Sequence, residues 1–265
     1  MILYFSGTGN SRAVAEMLAT IFGERAIPIT PDMRGGKISV EDKRLVWVFP
    51  IYSWGVPPYV LDVTGNLDIE SNASLIHHAV VTCGDDCGLA DRMWRNAMTA
   101  RGWNDGAMLS VQMPNNYVSL PGFDVDSVTV EQNKLIAYPG RVREIAEKIR
   151  DAERNKEKLT DIVRGSFAWI KTRVIYPWFV RHAMSPSRFS VTDACVSCGK
   201  CVSHCPLRNI TMHPSHDNPK SLRPVWGNDC AGCLGCYHIC PVHAVNYSTA
   251  TRNKGQYYFG IKKRQ

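Results

Sequence analysis

Three features of the sequence predict an α/β fold, a doubly wound parallel sheet followed by a small α+β module. Over the first 150 residues, short apolar runs alternate with amphipathic helical patterns, and most of the runs are followed by Gly- or Pro-bearing loops. Eight of the ten cysteines then fall in two evenly spaced runs near the C-terminus. The chain of 265 residues is longer than one average domain, and its 45% hydrophobic and 21% charged content is that of a globular protein. Disordered, collagen-like and coiled-coil classes are excluded.

The strands are expected at Ile2 to Phe5, Leu45 to Phe49, Ile76 to Thr82 and Met108 to Met113. These runs are near-continuously apolar, as strands buried on both faces must be. Between them, Val14, Ala15, Leu18, Ile21 and Phe22 form one inward helical face, and Leu89, Met93, Trp94, Ala97 and Met98 another. A helix is expected after Pro139, with Val142, Ile145, Ala146 and Ile149 on one side. It closes a first domain spanning 1–155.

Residues 156–188 form a basic, aromatic stretch carrying Phe167, Trp169, Tyr176, Trp178 and Phe179, in which Pro177 breaks or kinks any single helix. Such a stretch suits a membrane-surface or partner-docking role, or a connector whose aromatics pack between two domains, and the connector is the expectation. No spanning helix is possible, because Lys171, Arg173 and Arg181 interrupt the most apolar segment. Ile2 to Phe5 lead straight into a Gly-rich turn without the pattern of a secretory leader, so the cytoplasm is the expected compartment.

Charge is unevenly shared. The net +7 divides into −5 over 1–140, +6 over 141–188 and +6 over 189–265. A basic excess invites a nucleic-acid reading, but no recognition motif accompanies it, and none is expected as a partner.

The cysteine runs are Cys195-x2-Cys198-x2-Cys201-x3-Cys205-Pro206 and Cys230-x2-Cys233-x2-Cys236-x3-Cys240-Pro241, the second repeating the first at an offset of 35 residues. This is the bacterial ferredoxin spacing, in which three cysteines of one run and the fourth of the other hold each [4Fe-4S] cluster. Cys195, Cys198, Cys201 and Cys240 are the expected ligands of one cluster, and Cys230, Cys233, Cys236 and Cys205 those of the other. Zinc knuckles draw two ligands from each of two separate motifs, and disulfides are disfavoured by a reducing compartment. His204 and His238 lie between the ligand positions and are expected on the loop surface. The linker from Cys205 to Cys230, which includes His213-Pro214-Ser215-His216-Asp217, is longer than such a module needs. The cluster domain is placed at 189–248, with 249–265 as a C-terminal extension.

Ser6-Gly7-Thr8-Gly9-Asn10-Ser11 follows the first strand and opens the first helix, whose unpaired N–H groups suit a phosphate. It is neither a Walker loop nor a dinucleotide fingerprint. Two further loops, around Tyr52, Ser53, Trp54 and Gly55 and around Thr82, Cys83, Gly84 and Asp85, reach the same edge of the sheet. Tyr52 and Trp54 are candidates to flank a planar ring, and Gly84 permits close backbone approach. Cys83 and Cys87 are separated by three residues and lack an obvious base, and a packing role is expected for them. Asp85 and Asp86 are expected as the N-cap and first-turn acid of the helix that follows rather than as catalytic groups.

The spacing Ser6-x-Thr8-Gly9-Asn10-Ser11 resembles the phosphate loop of flavodoxins. Together with the tandem cysteines, Phe49-Pro50-Ile51-Tyr52-Ser53-Trp54-Gly55 and Met113-Pro114-Asn115-Asn116-Tyr117, the whole chain resembles the EFR family of flavodoxin and ferredoxin fusion proteins. The resemblance implies a flavodoxin-like sheet domain joined to a bacterial ferredoxin-like domain, FMN in the first and two [4Fe-4S] clusters in the second. Ser6 to Ser11, Tyr52 to Gly55, Thr82 to Asp85 and Asn116 are the expected flavin contacts. The expected function is electron transfer between FMN and the clusters, to or from a redox partner protein. The alternatives are a flavin-dependent reductase of a small molecule that draws electrons from the clusters, and a module that has lost its flavin. Flavodoxins and ferredoxins are usually acidic, so the basic C-terminal part departs from the pattern.

Overall fold

A computed structural model describes residues 1–71, 74–215, 219 and 221–261. The first domain holds strands β1 (Ile2–Tyr4), β2 (Ala26–Pro28), β3 (Lys37–Val40), β4 (Arg44–Pro50), β5 (Asp68–Ser71), β6 (Ile76–Cys83), β7 (Asn104–Gln112) and β8 (Thr160–Asp161). Its helices are α1 (Asn10–Phe22), α2 (Pro58–Asn66), α3 (Ala90–Ala100) and α4 (Val128–Asn155). The main sheet runs β2-β1-β4-β6-β7-β8, parallel throughout, while β3 and β5 pair separately. With that side pair set aside, the first five strands follow the 2-1-3-4-5 order of the flavodoxin-like fold, whose switch point lies between β1 and β4.

Alternate strand residues feed two cores, which is why the runs are continuously apolar. Ile2, Val46, Val48, Val80 and Leu109 pack under α1 and α4 against Val14, Leu18, Val142 and Ile145. Leu3, Trp47, Phe49 and Val81 pack on the other side against Val60, Val63, Trp94 and Met98 of α2 and α3. Helix α1 starts at Gly9 (φ +95°) and ends at Gly23 (φ +69°), both left-handed positions that glycine adopts without strain.

Three boundaries differ from expectation. Helix α4 begins at Val128, capped by the Ser127 side chain, and carries Pro139 inside it. Its first turns leave Val128 and Ile136 exposed, so they show no inward stripe from which the helix could be read. Strand β7 starts at Asn104 because the buried Asp105 is paired with Arg95 and Lys158, which disguises a strand as a polar turn. Residues 160 and 161, expected in the connector, supply the sixth strand beside β7.

The connector forms one helical run: α5 (Ala168–Ile170), a π-helical turn (Lys171–Ile175) and α6 (Tyr176–His182). The wide turn, closed by a bond from Tyr176 N–H to the Lys171 carbonyl, passes the chain through Pro177 without a break. Only Tyr176 and Phe179 of its five aromatics are buried, Tyr176 against Gly55 and Val56 of the first domain; Phe167, Trp169 and Trp178 face outward.

The C-terminal module contains β9 (Phe189–Val191), β10 (Ile210–Pro214), β11 (Leu222–Trp226) and β12 (Val245–Tyr247), with short helices α7 (Lys200–Ser203) and α8 (Gly235–Ile239). Strand β9 pairs with β12, and β10 with β11, both antiparallel. The 35-residue repeat is written into the backbone: Ser197 and Gly232, Gly199 and Leu234, and Arg208 and His243 are equivalent pairs, and all six have positive φ. Of the linker motif, His213 to Ser215 are described and His216 and Asp217 lie outside the described residues.

Candidate functional site

A cavity of about 260 Å³ opens at the carboxyl ends of β1, β4, β6 and β7. Its wall takes in Ser6, Gly7, Thr8, Asn10 and Ser11 from the first loop, Tyr52, Ser53 and Trp54 from the second, Thr82 to Asp86 from the third, and Met113 to Tyr117 from the fourth. Ile175 and Phe179 of the connector, and Gly232, Cys233 and Leu234 of the C-terminal module, complete it. Gly9 and Gly55, expected to contact the cofactor, stand behind this wall. A Cβ on Gly9 would meet Phe259, and one on Gly55 would meet the Tyr176 ring.

Hydrogen bonds hold the loops in place. Ser6 Oγ accepts from Gly9 N–H at 3.1 Å, Ser11 Oγ bonds Thr82 Oγ1 at 2.8 Å, and Asn10 donates to the Pro114 carbonyl at 3.0 Å. Asn116 Nδ2 donates to Thr8 Oγ1. Ser53 and Trp54 form a two-residue turn with positive φ at both positions, bracketed by the Tyr52–Gly55 pair. Left-handed backbone at a non-glycine residue costs on the order of 1–3 kcal/mol. Here Thr172 Oγ1 donates to the Trp54 carbonyl at 2.7 Å, and Lys171 lies 5.0 Å over the indole, so the connector helps to hold the turn.

Asp86 does not cap α3, whose first flanking residue is Leu89. It accepts from Gly88 N–H and pairs with Lys171 at 2.6 Å, tying the third loop to the connector. Asp85 is largely exposed at the rim. Cys83 and Cys87 are buried, and the neighbouring Cys87 thiol, with burial, raises the Cys83 thiol well above its ordinary value, away from thiolate reactivity.

The cysteine loops share one local geometry. Cys205 Sγ accepts from Asn209 N–H at 3.4 Å, and Cys240 Sγ, its repeat equivalent, accepts from Ala244 N–H at 3.2 Å. Cys205 sits close enough to Cys230, Cys233 and Cys236 to act on their charges, and Cys240 stands in the same relation to Cys201. Burial raises Cys201 to about 11 and Cys233 to about 12 when no metal takes the proton's place. Trp226 Nε1 points at Cys236 Sγ from 3.5 Å, and Gly232 N–H donates to Cys230 Sγ at 3.4 Å. Cys195 and Cys198 lie on the more open side, half-buried and exposed respectively.

Residues 194–244 match the family model of the 4Fe-4S dicluster domain. The chain joins a flavodoxin-like domain to a dicluster ferredoxin module. Over 73 residues it is 36% identical to a ferredoxin of Pyrobaculum islandicum, a stretch that is 26% of this chain. It spans 64% of that ferredoxin's length. Among solved structures, a flavoprotein of Bacteroides uniformis is similar at 16% identity and TM-score 0.36, over 50% of this chain and 94% of its own. A Streptococcus pneumoniae flavodoxin is similar at 17% identity and TM-score 0.32, over 56% of this chain and 97% of its own. A flavone reductase is similar at 13% identity and TM-score 0.38, over 84% of this chain and 80% of its own. The strand order, rather than these likenesses, establishes the fold of the first domain.

The two parts are closely docked. His238 of the ferredoxin module, expected on the surface, is 5% exposed. Its Nδ1 accepts from Tyr257 N–H at 3.2 Å, which puts the proton on Nε2, and Nε2 donates to the Asn116 carbonyl at 2.7 Å. The tail folds back on the first loop: Phe259 N–H donates to the Thr8 carbonyl at 2.8 Å and Tyr257 Oη donates to Asn10 Oδ1 at 2.6 Å. Arg34 pairs with Asp229 at 2.6 Å, and Arg208 pairs with Asp32, joining the two domains across their rim. The aromatic run Gln256-Tyr257-Tyr258-Phe259 was the one hint of this tail's role. Tyr117 and Phe179 pack edge to face at 5.5 Å on the remaining side of the cavity.

Proposed function

We propose that this protein relays electrons between FMN held in the cavity and two [4Fe-4S] clusters held by the eight cysteines, and exchanges them with a redox partner protein. The observation that carries the reading is Cys233, which belongs to a cluster run and to the cavity wall at once. When bound, flavin exchanges electrons singly or in pairs and each cluster exchanges one.

The residues present fit both groups. The loop Ser6 to Ser11 offers backbone N–H groups at the start of α1, where a phosphate is favoured. Tyr52 and Trp54 bring aromatic faces to the cavity, and Gly84, packed on Asn115, lets the third loop approach closely. Cys195, Cys198, Cys201 and Cys240 would hold one cluster; Cys230, Cys233, Cys236 and Cys205 would hold the other. The N–H groups directed at Cys205, Cys230, Cys236 and Cys240 stabilise extra negative charge there and would raise cluster potentials. Gly232, Cys233 and Leu234 close the side of the cavity nearest the module.

Protein purified without oxygen is expected to contain about one FMN and about eight irons per chain, with overlapping flavin and iron–sulfur absorption. Zinc in place of iron, or cluster-loaded protein that takes up no flavin, would overturn the corresponding half.

A further inference from the structure

The connector helix turns two different faces to its surroundings. Thr172, Tyr176, Phe179 and Ala183 face inward and are buried. Facing outward at helical spacing are Trp169, Ile170, Arg173, Val174, Trp178 and Arg181. Phe167, just before the helix, is 76% exposed, Trp169 62%, Val174 54% and Trp178 50%. Several large exposed apolar side chains along one helix are uncommon on a face that meets only water.

Charge points to what meets this face. From residue 162 to residue 192 there is no aspartate or glutamate, while Arg164, Lys171, Arg173, Arg181 and Arg188 contribute five positive charges. Arg164 and Lys171 reach back to Asp91 and Asp86. Among the described residues, Arg173 and Arg181 lie on the outward face with no carboxylate within ion-pair distance. The run from Ala168 to His182 is about 22 Å long at 1.5 Å per residue, too short to cross a hydrocarbon core of about 30 Å. A basic helix that presents tryptophans and aliphatic side chains beside arginines has the composition of one lying in the plane of a membrane interface.

We propose that the outward face of residues 167–182 seats this protein on an anionic phospholipid surface. The tryptophans and aliphatic side chains enter the headgroup boundary, and Arg173 and Arg181 meet the lipid phosphates. Phe167, Trp169 and Trp178 are not gathered into a socket, Trp178 meeting only the His182 ring of its own helix at 5.9 Å, which favours insertion into lipid over docking against an acidic protein. The opposite face of the same helix carries Ile175 and Phe179 of the cavity wall, so the docked protein holds its redox site beside the bilayer.

The test is flotation of the full, cofactor-loaded chain with vesicles of phosphatidylglycerol and phosphatidylcholine in equal parts, against vesicles of phosphatidylcholine alone. The anionic vesicles should bind roughly tenfold or more tightly, with a blue shift of tryptophan emission and release in high salt. Arg173→Glu with Arg181→Glu, and separately Trp169→Ala with Trp178→Ala, should each lower binding about tenfold or more while iron and flavin contents stay unchanged, which separates the effect from misfolding. Equal binding to both vesicles, binding to neither, or self-association through this face without vesicle binding would each overturn the proposal. So would wild-type affinity in both double variants.

Discussion

Gly7 of the first loop and Cys233 of the second cysteine run are in direct contact: a Cβ added to Gly7 would lie 2.6 Å from the Cys233 Cβ. The Gly7 carbonyl is equally tight against Gly235. Glycine at position 7 is therefore what allows the loop of one domain to seat on the cluster loop of the other. Gly7→Ala is expected to force the two apart at a cost of about 1–3 kcal/mol. Electron exchange between flavin and clusters should slow, measured by anaerobic rapid mixing with both cofactors retained. An unchanged rate would show that this contact is not the route.

Tyr52 bears a buried hydroxyl with no hydrogen-bond partner among the described residues. Burial, with Cys233 and Cys230 nearby, holds its phenol well above its ordinary value, so it stays protonated and able to donate. With a cluster held by the second cysteine run, the Cys230 and Cys233 sulfurs beside it would be the acceptors this hydroxyl could reach. Tyr52→Phe should lower the potential of one cluster by about 40 mV, the one-electron equivalent of a hydrogen bond of about 1 kcal/mol. Potentiometric titration followed by electron paramagnetic resonance would detect the shift.

His238 bonds the Asn116 carbonyl and the Tyr257 N–H at once. Removing it leaves both backbone groups buried without that partner, at about 1–3 kcal/mol each. In His238→Ala, hydrogen exchange should quicken around residues 116 and 257 while the β6 core stays protected.

His77 stacks on Trp103, with ring centroids 4.4 Å apart, and accepts a hydrogen bond from Trp47 Nε1 at 3.2 Å. Burial, with His78 and Arg101 nearby, lowers its folded-state value from 6.5 to about 4. Protonation therefore favours the unfolded chain. The stabilising contribution is complete above pH 6.5 and is lost as pH falls through about 4. The full effect is of the order of 3 kcal/mol. Denaturation midpoints should begin to fall near pH 6.5, above the carboxylate range, and the imidazole should still be neutral by NMR at about pH 5. A ring that titrates near 6.5 in the folded protein would contradict this.

The parts of the fold held by local rules could be read directly from the sequence. Buried strands such as Leu45 to Phe49 announce themselves because both faces are covered, and the 35-residue cysteine offset reappears as paired positive-φ sites. Leu234 shows the limit, since it takes the left-handed conformation that glycine takes at the equivalent position 199. The first turns of α4 were hidden because their apolar side chains stay exposed, and the continuity through Pro177 because a π-helical turn accommodates it. Long-range contacts left no local mark. Nothing around His238 announces that Asn116 and the tail enclose it, and Asp86 looks like a helix cap until Lys171, from a distant segment, is placed beside it.

The relay is tested most directly by anaerobic reductive titration of the fully loaded chain, with flavin absorption and cluster resonance followed together. About four electrons per chain are expected, two for the flavin and one for each cluster, with both centres equilibrating within the mixing time. Flavin that is reduced without electrons reaching the clusters, even though both are present at full stoichiometry, would contradict the account.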